Sequence, residues 1–392
     1  MSETNNAPQG PKLLSEFSLR GVTLKNRMMV SPMCMYSAKD GFADDFHLVH
    51  LGRFALGGAG LVFVEATSVS SDGKITHGCL GLWKDEQIAQ LTRIADFLHQ
   101  SGAKAGIQLS HAGGKGSSQR PWEGLGPLSA ADVEARGDAP WPVLSVTDTP
   151  LQQGQEGVRA LSEADMDRIA DDFAQAAKRA DRAGFDIIEV HCAHGYLLHA
   201  FLSPISNLRE DGFGGDLEGR MRFPLDVLQR VRAAWPESKP MSVRISSVDG
   251  VDVGWTIEDS VIFARRLAGI GVDIVDCSSG GMVLPREKNL PQRTPGFHLP
   301  YAEIIRREAD IPVVGVGLIR DARQAEAAIA EGCADLVAVA RELLFDPNWA
   351  DRCALELTGA AGWDLWPEQF GWWLKRRARQ QKDLFGPDRE EG

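Results

Sequence analysis

Along the chain, short and almost wholly apolar runs alternate with longer stretches in which apolar residues recur every three or four positions. The apolar runs lie at 27–33, 61–66, 104–109, 185–190, 241–245, 272–276, 313–316 and 336–340. They do not alternate apolar with polar, as a strand with one wet face would, so they predict parallel strands buried on both sides. Between them the period is helical. In 162–184, Met166, Ile169, Phe173, Ala176, Ala177 and Ala180 form one stripe, opened by a Ser162/Asp165 capping pair and stopped by Gly184. Ile88, Leu91, Ile94, Ala95 and Leu98 form a second stripe that ends near Gly102. Eight such repeats predict an α/β fold, a closed (β/α)8 TIM barrel in a single domain spanning 13–375. The architectural alternative is a doubly wound open sheet with one further domain.

Three segments fall outside the repeat. Residues 1–12 are polar and predict a disordered N-terminal tail. Residues 376–392 predict a charged C-terminal tail that continues from Lys375 through Arg376, Arg377 and Arg379 into acidic residues. Residues 112–160, after the third strand, are rich in Gly, Pro, Ser and Trp and lack helical periodicity, so they predict a long loop insertion with a functional task.

Charge and cysteine usage narrow the function classes. The chain has 54 acidic and 42 basic residues, a formal net charge of −12, which argues against nucleic acid or an anionic membrane as a partner. The six cysteines, Cys34, Cys79, Cys192, Cys277, Cys333 and Cys353, form no C-x-x-C pair, which suits a reducing compartment. No signal-peptide pattern or apolar run of spanning length is present, so the expected localisation is cytoplasmic.

Barrels of this kind place their chemistry at the C-terminal ends of the strands. The first strand runs into Ser31, Pro32, Met33, Cys34 and Tyr36, and the third carries Gln108 and leads to His111. The fourth ends in His191, His194 and Tyr196; the fifth carries Arg244, and the sixth leads into Ser278. Gly315 and Gly317 close the seventh strand and Arg341 follows the eighth, a corner suited to phosphate through backbone N–H groups and a guanidinium. No G-x-G-x-x-G follows a strand, which argues against a dedicated dinucleotide domain. The His191/His194 pair is open to three readings: a metal site, two donors to a carbonyl oxygen, or packing. A zinc site would require a third ligand that is not apparent nearby, so a polar site without metal is the expectation. Arg244 in an apolar strand requires a specific partner.

The segments SPMCMYSA, VEATSV, GIQLSHAG, VHCAHGYLLHAFLSP, VRISS, VVGVGLI and ARELLFDPNWA closely resemble the Old Yellow Enzyme family, most of all its thermostable-like and xenobiotic reductase branch. The resemblance runs in order from about Leu13 to Trp373. It implies an NAD(P)H-dependent flavin oxidoreductase (NADPH dehydrogenase, ene-reductase) with non-covalent FMN. By motif position Ser31, Pro32, Met33 and Cys34 would line the flavin, Ala66 and Gln108 its pyrimidine ring, and Arg244 its N1 edge. Gly317, Ala340 and Arg341 would hold the phosphate; Ala340 stands where relatives carry Gly. His191 and His194 would bind a substrate carbonyl beside Tyr36, Cys34 would modulate the flavin, and Tyr196 would protonate the α carbon. Hydride would pass from NAD(P)H through flavin N5 to the β carbon of an α,β-unsaturated carbonyl or nitro compound. A homo-oligomer, dimer or tetramer, is also implied, with Trp372 the candidate to reach a neighbouring subunit's site. Two rival functions are a metal-dependent barrel hydrolase or lyase and a non-catalytic flavin sensor.

Overall fold

The computed structural model describes residues 10–282 and 292–385. Eight parallel strands close into a barrel: β1 (Met28–Val30), β2 (Leu61–Ser68), β3 (Lys104–Ser110), β4 (Ile187–Cys192), β5 (Met241–Ser246), β6 (Ile274–Ser278), β7 (Val313–Gly315) and β8 (Leu336–Val339). Each pairs with the next, and β8 pairs with β1 through Ala338 opposite Met29. A helix follows each strand: α1 (Asp45–Leu56), α2 (Ile88–Gln100), α3 (Glu163–Arg182), α4 (Leu217–Ala234), α5 (Ile257–Gly269), α6 (Leu299–Ala309), α7 (Ala322–Ala330) and α8 (Trp349–Thr358). The predicted (β/α)8 barrel is therefore the fold, and the open-sheet alternative falls.

The sequence signals act as read. Ser162 Oγ accepts the Asp165 N–H at the start of α3, and Gly184 follows its end with φ +90. The stripe from Met166 to Ala180 is buried against the barrel wall. β1 is shorter than its apolar run: after Val30 the chain leaves the ladder, and 31–38 carries no regular structure.

Inside the barrel, alternate residues of every strand share one space. Its lower half is apolar, built from Met29, Leu61, Phe63, Ile187, Ile274, Val314 and Leu336. An antiparallel hairpin, Phe17–Leu19 with Val22–Leu24, plugs this end with Leu19, Val22 and Leu24. Gly106 makes room for the Phe63 ring in this floor, because a Cβ there would lie 2.8 Å from it. Higher up the inward residues turn polar. Gln108, Glu189 and Ser242 stand in one register row, and His191, Arg244 and Asp276 in the next.

Two expectations about irregular segments need correction. The insertion at 112–160 holds a helix, Ala130–Arg136, and a parallel two-stranded ladder, Val143–Ser145 with Val158–Ala160. The helix is too short to show a stripe, but its start is signalled by Ser129, whose N–H and Oγ both donate to Asp132 at 2.8 Å. The boundary expected between 375 and 376 falls inside a helix, Glu368–Phe385, because Lys, Arg, Gln and Ala are strong helix formers whatever their charge. The tail expected over 1–12 lies outside the described residues up to 9, and Lys12 already opens a 3-10 turn, Lys12–Leu14. All six cysteines are free thiols. Among the described residues no helix is long and apolar enough to cross a membrane.

Phe173 on α3 is fully buried. Phe173→Ala should lower the unfolding free energy by about 3–5 kcal/mol, read as a lower urea midpoint with an unchanged denaturant slope.

Candidate active site

The end of β4 and the turn after it bring three rings together. The His191 and His194 rings lie 5.1 Å apart and the His191 and Tyr196 rings 5.0 Å, all edge to face. Burial, reinforced by the Arg244 charge, pushes both imidazoles well below their ordinary titration range, so they are neutral near pH 7. His191 Nδ1 accepts the Ala193 N–H at 3.2 Å, which leaves the ring proton on Nε2. The His194 N–H donates to Ser246 Oγ at 2.9 Å, and its Nε2 sits 2.7 Å from Ser278 Oγ. Burial raises the Tyr196 phenol above its usual value, so it keeps its proton.

The exit of β1 is pinned on two sides. The Ser31 N–H donates to the Val339 carbonyl at 3.0 Å. A bulge in β2 leaves Glu65 without a register partner between Val64 and Ala66. That extra residue turns its carboxyl onto the Met35 N–H. Burial raises the Glu65 carboxyl to about 8. The same bulge returns Ala66 to the inward row, opposite Gln108. Pro32 and Met33 lie in the irregular stretch after Ser31, with Met33 packed on the core. Burial and then the nearby Glu65 push the Cys34 thiol well up, so it is a thiol rather than a thiolate. Tyr36 takes φ +51, and its ring meets Trp122 of the insertion edge-on at 6.0 Å.

Below these groups the polar interior forms a network. Gln108 Nε2 donates to Glu189 at 2.8 Å, and Ser242 Oγ donates to the other carboxylate oxygen at 2.8 Å. Arg244 Nε lies 3.4 Å from Asp276 Oδ2, outside good hydrogen-bond geometry. The sequence demanded a partner for this arginine, and a protein carboxylate in the same register row supplies part of it. Burial raises both the Glu189 and Asp276 carboxyls.

Two openings lead into this interior. One is lined by Ser31, Arg244, Ser278, Gly317, Ala340 and Arg341, which brings the expected phosphate corner and the arginine into one cavity. Gly317 has φ +110, and a Cβ there would come within 3.1 Å of His298 Nδ1. The other opening, beneath the insertion, is lined by Tyr36, Tyr196, Lys115, Gln119, Leu151 and Met282. Trp372 lies elsewhere, 56% exposed on the helix Glu368–Phe385 and edge-on to Trp373 at 4.5 Å. Among the described residues no cluster of three or more His, Cys, Asp or Glu is placed to hold a metal ion.

Sequence reasoning missed Lys115. Its ammonium crosses the second cleft to the carbonyls of His194, at 2.7 Å, and Gly281, and lies 5.8 Å from the centroid of the Tyr196 ring. It thereby ties the turns after β4 and β6 to the insertion. The available signal was a lone lysine among glycines, Gly113-Gly114-Lys115-Gly116, just beyond a strand end. Only the closed barrel makes those carbonyls its neighbours.

The sequence profile of the NADH:flavin oxidoreductase / NADH oxidase family matches residues 12–358. An NADPH dehydrogenase of Listeria monocytogenes serotype 4b (strain CLIP80459) is 42% identical over 348 residues, which cover 88% of this chain and 95% of that protein. Among solved structures, morphinone reductase superposes with a TM-score of 0.72 at 24% identity, covering 89% of this chain and 91% of that one, a likeness of fold. A 2-naphthoyl-CoA reductase in complex with 2-naphthoyl-CoA gives a TM-score of 0.76 at 23% identity over 87% of this chain. This chain spans about half of that longer protein, 52%.

Lys115 supplies a pH test. Burial lowers its ammonium to about 8 from an ordinary value of 10.5. Between those values the unfolded chain binds a proton that the folded one does not, so this group makes stability rise with pH there. Wild type should therefore gain stability relative to Lys115→Met as the pH is raised from 8 to 10, measured by urea unfolding. A constant difference across that range would contradict the assignment.

Proposed function

The chain belongs to the NADH:flavin oxidoreductase / NADH oxidase family, as an Old Yellow Enzyme-type NAD(P)H-dependent flavin oxidoreductase with FMN as cofactor, and on that premise we propose that it is an ene-reductase acting on α,β-unsaturated carbonyl or nitro compounds. The observation that carries this reading is the set of two neutral imidazoles and one protonated phenol, rings about 5 Å apart, at one strand end.

The residues present fit FMN. Arg244 Nε is buried without a hydrogen bond among the described residues, in the wall of a cavity whose far end is Gly317 and Arg341. An anionic group at that wall gives the guanidinium the partner that Asp276 only half supplies. In our assignment Ser31, Pro32, Met33 and Cys34 would line one side of the ring system, and Ala66 and Gln108 its pyrimidine edge. Glu189 accepts one Gln108 amide proton, which orients the Gln108 side chain and leaves its carbonyl oxygen as an acceptor. Arg244 would stand at N1, while Gly317, Ala340 and Arg341 would hold the phosphate. The Ala340 methyl narrows that corner relative to glycine. When bound, FMN supplies a nitrogen that takes hydride from NAD(P)H and delivers it to the β carbon of the acceptor.

The chain's own groups do the rest. His191 Nε2–H is aimed by the Ala193 N–H on the opposite nitrogen. A Ser278 hydroxyl that donates to His194 Nε2 leaves the second imidazole proton on Nδ1, so both rings offer donors to one carbonyl oxygen. Because both rings are neutral, they stabilise developing negative charge by hydrogen bonding rather than by transfer of an imidazolium proton. Such a donor is worth about 3 kcal/mol at a developing oxyanion. Tyr196, kept protonated by burial, delivers the α-carbon proton. Tyr36 and Lys115 border the same cleft and shape its outer wall.

Phe370, Trp372 and Trp373 are exposed on the C-terminal helix. We read these exposed aromatic residues as the contact of a homo-oligomer in which Trp372 approaches a neighbouring subunit's cleft. Trp372→Ala/Trp373→Ala should lower the sedimentation coefficient; an unchanged value removes this contact from the proposal.

Purified protein should be yellow, bleach anaerobically with NADPH or NADH, and regain colour with cyclohexenone. His191→Ala should slow the recovery of colour about 100-fold and leave the bleaching step nearly untouched. Equal slowing of both steps would remove His191 from its assigned role.

A further inference from the structure

The turn that carries the catalytic candidates is conformationally expensive. His194 and Gly195 take φ +61 and +76 in succession, and for a residue with a Cβ this region is disfavoured. Both polar backbone groups of His194 are held by side chains from other elements, Ser246 at its N–H and Lys115 at its carbonyl. The Gly195 N–H is held differently. It donates to His199 Nδ1 at 2.8 Å, four residues ahead on the short helix Leu197–Leu202.

His199 is fully buried. A ring nitrogen that accepts a hydrogen bond carries no proton, so the His199 proton sits on Nε2. That nitrogen lies 3.0 Å from Asp249 Oδ1, beyond β5. The other Asp249 oxygen accepts the Ser203 hydroxyl at 2.6 Å and the Trp255 N–H at 2.8 Å. Burial alone would raise this carboxyl, but His199, Ser203 and the Trp255 N–H outweigh it and hold it below its usual value. Asp249 is thus an anion held beside Nε2, at ion-pair distance though outside good hydrogen-bond geometry, and its charge favours the tautomer protonated there, which leaves Nδ1 to receive the Gly195 N–H.

We propose that His199, aligned by Asp249, is a positioning residue that fixes the orientation of His194 and Tyr196 by accepting the Gly195 N–H. Its consequence for turnover rests on the acceptor-binding roles given to those two residues above. The sequence segment is VHCAHGYLLHAFLSP, in which His199 is the third histidine and had no assigned task. Without its nitrogen the Gly195 N–H would be a buried donor without a partner, and the strained turn would relax elsewhere.

Two amide substitutions in the FMN-loaded enzyme separate positioning from plain packing. In His199→Asn the side-chain oxygen occupies the place of Nδ1 and still accepts from Gly195, while Asp249 loses its partner. In His199→Gln the amide occupies the place of Nε2 and keeps Asp249, while Gly195 loses its acceptor. Hydrogen exchange at the Gly195 amide should accelerate at least about tenfold in His199→Gln and stay near wild type in His199→Asn. The kcat/KM for cyclohexenone should fall about tenfold or more in His199→Gln and recover most of that loss in His199→Asn, with the rate of NADPH-driven bleaching the same in all three proteins. Equal behaviour of the two variants in either measurement overturns the proposal. A wild-type enzyme that bleaches but is never re-oxidised by cyclohexenone overturns the acceptor roles, and Gly195 exchange then still decides whether His199 holds the turn.

Discussion

A closed parallel barrel forces every second side chain of eight strands into one shared interior, and the rest of this protein depends on how that interior is divided. The lower half is filled by Met29, Leu61, Phe63, Ile187, Ile274, Val314 and Leu336 and sealed by the N-terminal hairpin. The upper half is polar, with Gln108, Glu189, Ser242, His191, Arg244 and Asp276 in adjacent register rows. The apolar floor keeps water from below, so the charges above it act at low effective dielectric. The same floor gives the upper residues fixed positions, because their strands cannot slide without displacing Phe63 and its neighbours.

That division explains the electrostatics of the mouth. One guanidinium faces two buried carboxyls whose protonation burial favours, so the interior keeps a net positive character around Arg244. In the proposed assignment an anionic cofactor edge completes the arrangement rather than competing with a finished salt bridge. The imidazoles above are neutral because burial disfavours their charged forms and the same positive charge lies beneath them. Neutral donors suit a site in which charge appears on the substrate only during reaction.

Rigid strands alone do not complete the site. Its remaining walls come from segments held by a few polar contacts: Glu65 on Met35, Lys115 on His194 and Gly281, and His199 on Gly195. Each joins a turn with an unfavourable backbone angle, or an irregular stretch, to a buried group from a different element. The insertion thereby becomes part of the mouth through Lys115 and Trp122 rather than an appendage.

Much of this was legible in the chain itself. Eight apolar runs of strand length, separated by helical stripes, determined a parallel α/β sheet and favoured a barrel, since parallel strands are buried on both faces and need a helix to return; closure itself came from the structure. Chain order then put Ser31, His191, Arg244, Gly317 and Arg341 near strand ends, and so at one rim. Even the short helix at Ala130–Arg136 and the helix through 376 had local signals in their capping residues and helix propensities, though charge and composition pointed the other way. What only the tertiary structure decided is which buried polar group meets which. Asp276 beside Arg244 follows from the β5–β6 register, the task of Lys115 from carbonyls 79 and 166 residues away, and the link from His199 to Asp249 from a pairing 50 residues apart that no local pattern encodes. Periodicity records how each segment divides between core and water; hydrogen bonds between distant polar groups depend on distances and angles that exist only after the barrel has closed.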